Sequence, residues 1–258
     1  MGISVITPTI REENINNIIE NFERQNYERK ELIIVLNYIN PNIKKWESIL
    51  SKYDNIEISM INPKYSLGEC LNHAITKSKF DYIAKFDDDD YYGPNYLNES
   101  MFQLENRDAN IIGKSCIYIY FKDKKALGLR NESKENRSVT RVCGSTLFFR
   151  KDIIDKIKFQ NINLSEDKLF CKDAINNNFS IYSTSKQNYV YIRSVHHKHS
   201  WKIHNDYLYK TSSKIAESIT LEEVINGSTI NSQSYNISEW IYERFMKGLI
   251  IWIYVLLV

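Results

Sequence analysis

The sequence offers few compositional markers. Its four cysteines, Cys70, Cys116, Cys143 and Cys171, are scattered and form no CxxC pair. That argues against a zinc ribbon and a disulfide scaffold, and it favours a reducing compartment. Neither sign of charge dominates: 34 Lys and Arg face 32 Asp and Glu, a net of +2. Without a basic footprint, no nucleic-acid partner is expected. No basic leader or cleavage site opens the chain, since Met1-Gly2 runs straight into Ile3-Ser4-Val5-Ile6. Ile6 also stands where a myristoylation signal would need Ser or Thr. The apolar stretch Gly248 to Val258 is eleven residues long, against the about 20 needed to span a bilayer. No repeat or low-complexity run appears. What remains is ordinary globular usage, 43% hydrophobic and 26% charged over 258 residues, enough for one large α/β domain without staples.

The first half alternates short apolar runs with helical patterns. Strands are expected at Ile3 to Ile6, Leu32 to Leu36, Ile56 to Ile61 and Tyr82 to Phe86, from their length and β-branched content. Between them, Ile15, Ile18, Ile19 and Phe22 fall at helical spacing, as do Leu67, Leu71, Ala74 and Ile75. Thr9 with Glu12, and Ser66 with Glu69, are spaced as capping boxes, placing helix starts near Arg11 and Ser66. Pro94 suits the first turn of a further helix. This rhythm implies a mostly parallel sheet, whose ligands bind at the carboxyl ends of its strands. In the second half, Ile111 to Phe121 and Ala126 to Arg130 read as a hairpin, followed by a polar loop from Asn131 to Arg141 and a strand at Ser145 to Phe149. A helix from Glu166, with Ser165 as its N-cap, precedes strands near Ile181 and Tyr189 to Ile192.

The sharpest feature is the run Asp87-Asp88-Asp89-Asp90 at the end of the fourth strand. Carboxylates converging there repel unless a cation sits between them, and oxygen-rich clusters with open positions suit Mg²⁺ or Mn²⁺ bridging to diphosphate. A solvated acidic loop is the plainer alternative. Lys85, two residues before Asp87 in an otherwise apolar strand, should point to the same side as Asp87. Lys64, Arg193 and Lys202 are weaker cationic candidates for a dianionic group. Glu166 and Asp167 open a helix, where acids also serve the helix dipole alone. The run His196-His197-Lys198-His199 lacks zinc spacing. His73 reads as structural, and Trp201 as shielding or packing.

Together these stretches resemble glycosyltransferase family 2 on a GT-A fold. The resemblance rests on Ser4-Val5-Ile6-Thr7-Pro8-Thr9, on Leu67-Gly68 through Asn72 and Ala74, and on Asp87 to Asp90 with Pro94. It continues through Ser165-Glu166-Asp167 and His199-Ser200-Trp201. It implies a Rossmann-like domain with a central mixed, mostly parallel sheet flanked by helices, plus C-terminal helices. Residues 1–107 would be the nucleotide-sugar-binding half, 108–205 the acceptor-side half of the same domain, and 206–258 a C-terminal helical extension.

The implied activity is inverting, metal-dependent transfer of a sugar from a UDP-sugar to a hydroxyl of a glycan or glycolipid acceptor. Thr7, Pro8, Thr9 and Arg11 would face base and ribose, and Asp87 or Asp88 the ribose and sugar. Asp89 would hold Mn²⁺ or Mg²⁺, with His199 as a further ligand. Gly68, Asn72, Lys64 and Lys85 would complete the nucleotide-sugar site, and Asp167 would be the general base. The family commonly has an acid after the second strand. This chain has Asn37, which can still donate and accept, so UDP is expected first and dTDP second. A nucleotidyltransferase would want a glycine-rich loop after the first strand, which Thr7-Pro8-Thr9-Ile10 is not. A non-catalytic sugar-nucleotide-binding protein would tolerate a degraded acidic motif, whereas this one is intact. The expected location is cytoplasmic. The apolar C-terminus is a candidate for peripheral contact with the cytoplasmic membrane face, and equally for a core helix or part of a longer segment.

Overall fold

The computed structural model describes residues 1–194, 203–227 and 230. Strands β1 (Ile3–Thr9), β2 (Lys30–Leu36) and β3 (Ile56–Met60) alternate with helices α1 (Ile15–Glu23), α2 (Ile43–Leu50) and α3 (Leu67–Lys77), and β4 (Tyr82–Lys85) follows. These four strands pair in parallel. The inner strands β1 and β2 are almost wholly buried, because both of their faces are covered, whereas β3, at the sheet edge, alternates apolar and polar residues. Ile3 and Val5 enter one core cluster with α1, while Ile6 enters the other with Leu71, Ala74 and Ile75 of α3.

The chain continues through β5 (Tyr91–Tyr92), α4 (Tyr96–Asn106), β6 (Ile111–Gly113), β7 (Ile117–Phe121), β8 (Ala126–Arg130), β9 (Arg137–Ser138) and β10 (Phe148–Arg150). Then come α5 (Glu166–Asn176), β11 (Ile181–Ser183), β12 (Tyr189–Arg193), α6 (Asn205–Lys210), β13 (Ser213–Ala216) and α7 (Leu221–Asn226). Eight strands form one mixed sheet in the order β3-β2-β1-β4-β10-β6-β11-β9, and five form a second in the order β13-β8-β7-β12-β5. This is the expected Rossmann-like, helix-flanked α/β architecture.

Strand β10 positions the site. It runs antiparallel to both β4 and β6. An antiparallel strand begins at the edge where its neighbour ends, so the segment leading into β10 lies beside the acidic run that follows β4. Strand β4 itself pairs with β1 only as far as Ile6 opposite Lys85. Pro8, which has no N–H for a ladder, falls beyond that partner.

Several local expectations change. The capping box at Ser66 and Glu69 forms in full, but the one at Thr9 and Glu12 does not. Thr9 is still strand, and a short 3₁₀ turn (Glu12–Asn14) intervenes before α1. The Thr9 hydroxyl is engaged by Asp88, and Glu12 instead accepts from the Asn42 amide and Lys45. The hairpin begins at Ile117, whereas Ile111–Gly113 is a separate strand of the large sheet. Ser165 gives no side-chain cap; its backbone is left-handed, with φ 69°. Beyond residue 206 the described chain is not only helical, because β13 pairs with β8. His73 has the structural contact expected of it, 2.6 Å from the Ser59 hydroxyl. Among the described residues no helix is long and apolar enough to cross a membrane. His199, Trp201, Lys202 and the stretch 248–258 lie outside the described residues.

Candidate active site

The four aspartates do not alternate as an extended strand would. They run into a turn, where Asp88 and Asp89 share Arg11, Asp87 pairs with Lys85 and Asp90 with Tyr189. Asp88 is buried. Its carboxylate accepts from the Thr9 hydroxyl at 2.5 Å and from Arg11 Nε at 3.1 Å, and a second Arg11 nitrogen reaches its other oxygen. Arg11 Nη1 also donates to Asp89 at 2.8 Å. One guanidinium thus holds two neighbouring carboxylates, with the fork geometry that suits such pairing. From α1, Asn17 donates to the backbone carbonyls of Asp88 and Asp90, at 2.9 and 3.1 Å, and Asn21 to that of Asp90 at 2.8 Å. These asparagines are four residues apart, so they share one helix face.

Asp87 turns the other way and pairs with Lys85. Lys85 is 3% exposed, while the Asp87 side chain is 37% exposed. Burial disfavours the lysine cation, but Asp87, Glu166 and Asp167 outweigh it and raise its pKa. The start of α5 lies against the Gly144–Thr146 turn, which also packs on β4. Glu166 is buried, and its pKa is pushed up to about 7, by burial first, with Asp167 and Asp87 adding to it and Lys85 opposing. Asp167 lies against Gly144: a Cβ there would come within 2.6 to 2.8 Å of Asp167 Cβ, Cγ and Oδ2. Only glycine lets this loop approach the carboxylate so closely.

Asp90 is fully buried and faces inward. It accepts from the Tyr189 hydroxyl at 2.6 Å and from the Ile192 amide at 3.0 Å, tying the turn to β12 of the second sheet. Burial, then Asp89 and Asp87, drive its pKa well above the ordinary carboxylate range. Burial likewise lifts Asp88 to about 6, with Asp89 adding to it and Arg11 and Thr9 pulling back.

The remaining candidates divide. Thr7 is buried in β1 with its hydroxyl unpartnered, and Pro8 is half-buried beside it. The Asn37 amide donates to the carbonyls of Asn62 and Tyr65, at 3.2 and 3.1 Å, at the end of β2. Lys64 is exposed on the same loop. Gly68 and Asn72 contact the segment leading to α5. A Cβ on Gly68 would sit 1.8 Å from the Gln160 carbonyl oxygen, and Asn72 both donates to and accepts from the Phe159 backbone, at 2.7 and 3.1 Å. The structure therefore brings Thr9, Arg11, Lys85, Asp87, Asp88, Asp89 and Asp167 to one edge. Gly68 and Asn72 hold α3 to the segment leading into α5.

Among the described residues no three His, Cys, Asp or Glu side chains converge to enclose a metal. The donors on offer are hard carboxylate oxygens at the ligand edge. Mg²⁺ and chemically similar cations are commonly held by one or two carboxylates plus substrate phosphates, and Asp89, with one oxygen on Arg11, fits as one such donor.

Sequence reasoning did not single out Asn17, Asn21, Tyr92 or Gly144. The i, i+4 asparagines are a visible helical pair, but nothing local says that their partners are main-chain carbonyls 69 to 73 positions away.

A model described as glycosyl transferase family 2 matches residues 4–158. None of the curated proteins matches the chain. Among solved structures, Staphylococcus aureus TarS 1–349 in complex with UDP-GlcNAc aligns with a TM-score of 0.64 at 17% identity, over 82% of this chain and 64% of that one. The same TarS portion in complex with UDP gives 0.59 at 19%, over 75% and 61%. The mannosyltransferase PcManGT from Pyrobaculum calidifontis, in complex with GDP-Man and Mn²⁺, gives 0.58 at 13%, over 76% and 57%. The chain thus spans less than two thirds of each of these solved chains, and at these identities the likeness is one of fold.

Proposed function

Because this chain belongs to glycosyl transferase family 2, we propose that it moves a sugar from a nucleotide diphosphate donor, a UDP-sugar first, to a hydroxyl of a polysaccharide, glycolipid or surface-glycan precursor. The observation that carries this reading is the convergence of Lys85, Asp87, Glu166 and Asp167 where β4 ends, beside Asp88 and Asp89 on the Arg11 fork. Donors bound to the structural relatives, UDP-GlcNAc in one and GDP-Man with Mn²⁺ in another, support the same donor class.

In this reading Asp167 takes the proton of the acceptor hydroxyl as it attacks the anomeric carbon. Attack from the face opposite the leaving group inverts that centre, so an α-linked donor gives a β-linked product. Lys85 keeps the neighbouring carboxylates from repelling one another and leaves its positive charge beside the diphosphate side of the site. Thr9 and Arg11 hold Asp88 buried, which leaves Asp87 as the carboxylate facing ribose and sugar. Thr7, Pro8 and Asn37 line the approach of the nucleoside. Asp89 would hold Mn²⁺ or Mg²⁺, with His199, outside the described residues, as the further ligand the sequence suggests, and such a cation would supply positive charge against the departing diphosphate. The apolar stretch 248–258 suits docking on the cytoplasmic face of a membrane, where a lipid-linked acceptor would be presented.

Two measurements test the reading. A thermal-shift panel of UDP-, GDP- and dTDP-sugars, with and without Mn²⁺, should single out a Mn²⁺-dependent UDP-sugar; no stabilisation by any of them would remove the donor class. Asp167→Asn should retain donor binding while transfer falls by roughly 10²- to 10⁴-fold. Normal turnover by that variant would move the base elsewhere.

A further inference from the structure

Asp87 and Asp167 lie 80 positions apart in sequence, yet their relative placement decides how donor and base meet. One buried side chain links the two segments that carry or brace them. Tyr92 is fully buried at the start of α4's approach, with its ring stacked on Phe86 at 3.7 Å between centroids and an interplanar angle of 4°. Its hydroxyl oxygen accepts from the Asp87 amide at 2.7 Å. The same hydroxyl donates to the Ser145 carbonyl at 2.7 Å. Ser145 is held a second time, through its side chain, which lies 2.5 Å from the Tyr189 hydroxyl. Tyr189 gives its own proton to Asp90, so it accepts from Ser145. The residue before Ser145 is Gly144, the one packed against the Asp167 carboxylate.

We infer that Tyr92 is a positioning residue: through the Asp87 amide on one side and the Ser145–Gly144 loop on the other, its hydroxyl sets where the base Asp167 stands relative to the donor-side acid Asp87. The inference rests on the reading of Asp167 as base. The ring could be any buried aromatic, since Phe86, Tyr96 and Tyr189 surround it. The hydroxyl is different. It touches the Asp87 amide and the Ser145 carbonyl directly, using its donor and its acceptor capacity at once, while the Tyr189 hydroxyl makes a parallel link from Ser145 to Asp90. Gly144 is the other half of the device, because a side chain there would push the loop or the carboxylate aside. Small displacements of this kind lower turnover more than binding, since the reacting geometry is lost while the donor's contacts persist.

The test compares Tyr92→Phe, Gly144→Ala, the double variant and Asp167→Asn with the wild type. Turnover is followed as UDP release from the UDP-sugar that stabilises the protein, UDP binding with Mn²⁺ by calorimetry, and folding by thermal melts. Tyr92→Phe should lower kcat at least tenfold, with donor KM and UDP affinity within about twofold of wild type. Gly144→Ala should do the same, and the double variant should fall little further than the worse single one, because both act on one spatial relation. A Tyr92→Phe protein that melts earlier but turns over normally overturns the inference, as does a loss that appears wholly as weaker UDP binding. If Asp167→Asn also turns over normally, or no UDP-sugar is consumed, the reading of the base itself fails and takes this inference with it.

Discussion

Glu166 is a carboxyl that the fold keeps at a cost, and replacing it should make the protein more stable. It is buried beside Asp167 and Asp87, and its pKa is pushed up to about 7 from an ordinary 4.5. The native state therefore binds this proton more tightly than the unfolded chain does. Its contribution is fully present below the ordinary value and is lost as pH rises through about 7. A difference of that size corresponds to about 3 kcal/mol at pH 8, and to under about 1 kcal/mol at pH 5. Glu166 is only 7% exposed, so solvent screening takes little from it. Glu166→Gln keeps the shape and polarity without the charge. In urea melts with EDTA and no nucleotide, it should be more stable than wild type by about 2–3 kcal/mol at pH 8, with most of that advantage gone at pH 5. An offset between the two proteins that stays constant from pH 5 to pH 8 would refute the burial of a carboxyl that titrates near 7 at this position.

Asp89→Ala should abolish Mn²⁺-dependent UDP binding in calorimetry; unchanged affinity would remove Asp89 from the metal site. Lys114→Met leaves Glu99 buried without its cation, both partners being 1% exposed, and should cost about 3–5 kcal/mol in urea unfolding. A loss under about 1 kcal/mol would show that the Ser185 and Asn188 contacts to Glu99 suffice on their own. Gly68→Ala drives a methyl into the Gln160 carbonyl and should destabilise by about 1–3 kcal/mol, read in the same way; no change would mean that the 159–163 segment yields freely.

Much of the first half was legible because parallel strands buried on both faces leave unmistakable apolar runs, and because β-α alternation dictates the edge at which ligands bind. Lys85 could be placed beside Asp87 from strand alternation alone, and the two pair as that period requires. The same local logic misled at Thr9, where a capping box and a side chain aimed across the sheet look identical in sequence. Ile111 and Ile117 ran together as one strand because nothing local marks Lys114, which turns inward to Glu99. Asp88 and Asp90 were legible as acids but not as structural anchors. Their partners Arg11, Tyr189 and the Ile192 amide come from 77 to 102 positions away. Gly144 is one glycine among eight until the fold lays Asp167 across it.

The reversal of β10 against β4 also bears on how the chain tolerates insertions and deletions. Phe148 stands opposite Ala84, and Phe149 opposite Ile83. Losing one residue between Ser145 and Phe148 would either drag the glycine away from Asp167 or slip the ladder by a position, turning buried phenylalanines to the wrong face. Residues 131–136 are mostly exposed and belong to no ladder; Asn131 and Glu135 bond to Ser115 and Lys186, with Glu132, Ser133 and Lys134 exposed between them. Length variation among natural descendants of this chain should accumulate there and stop short of residue 144.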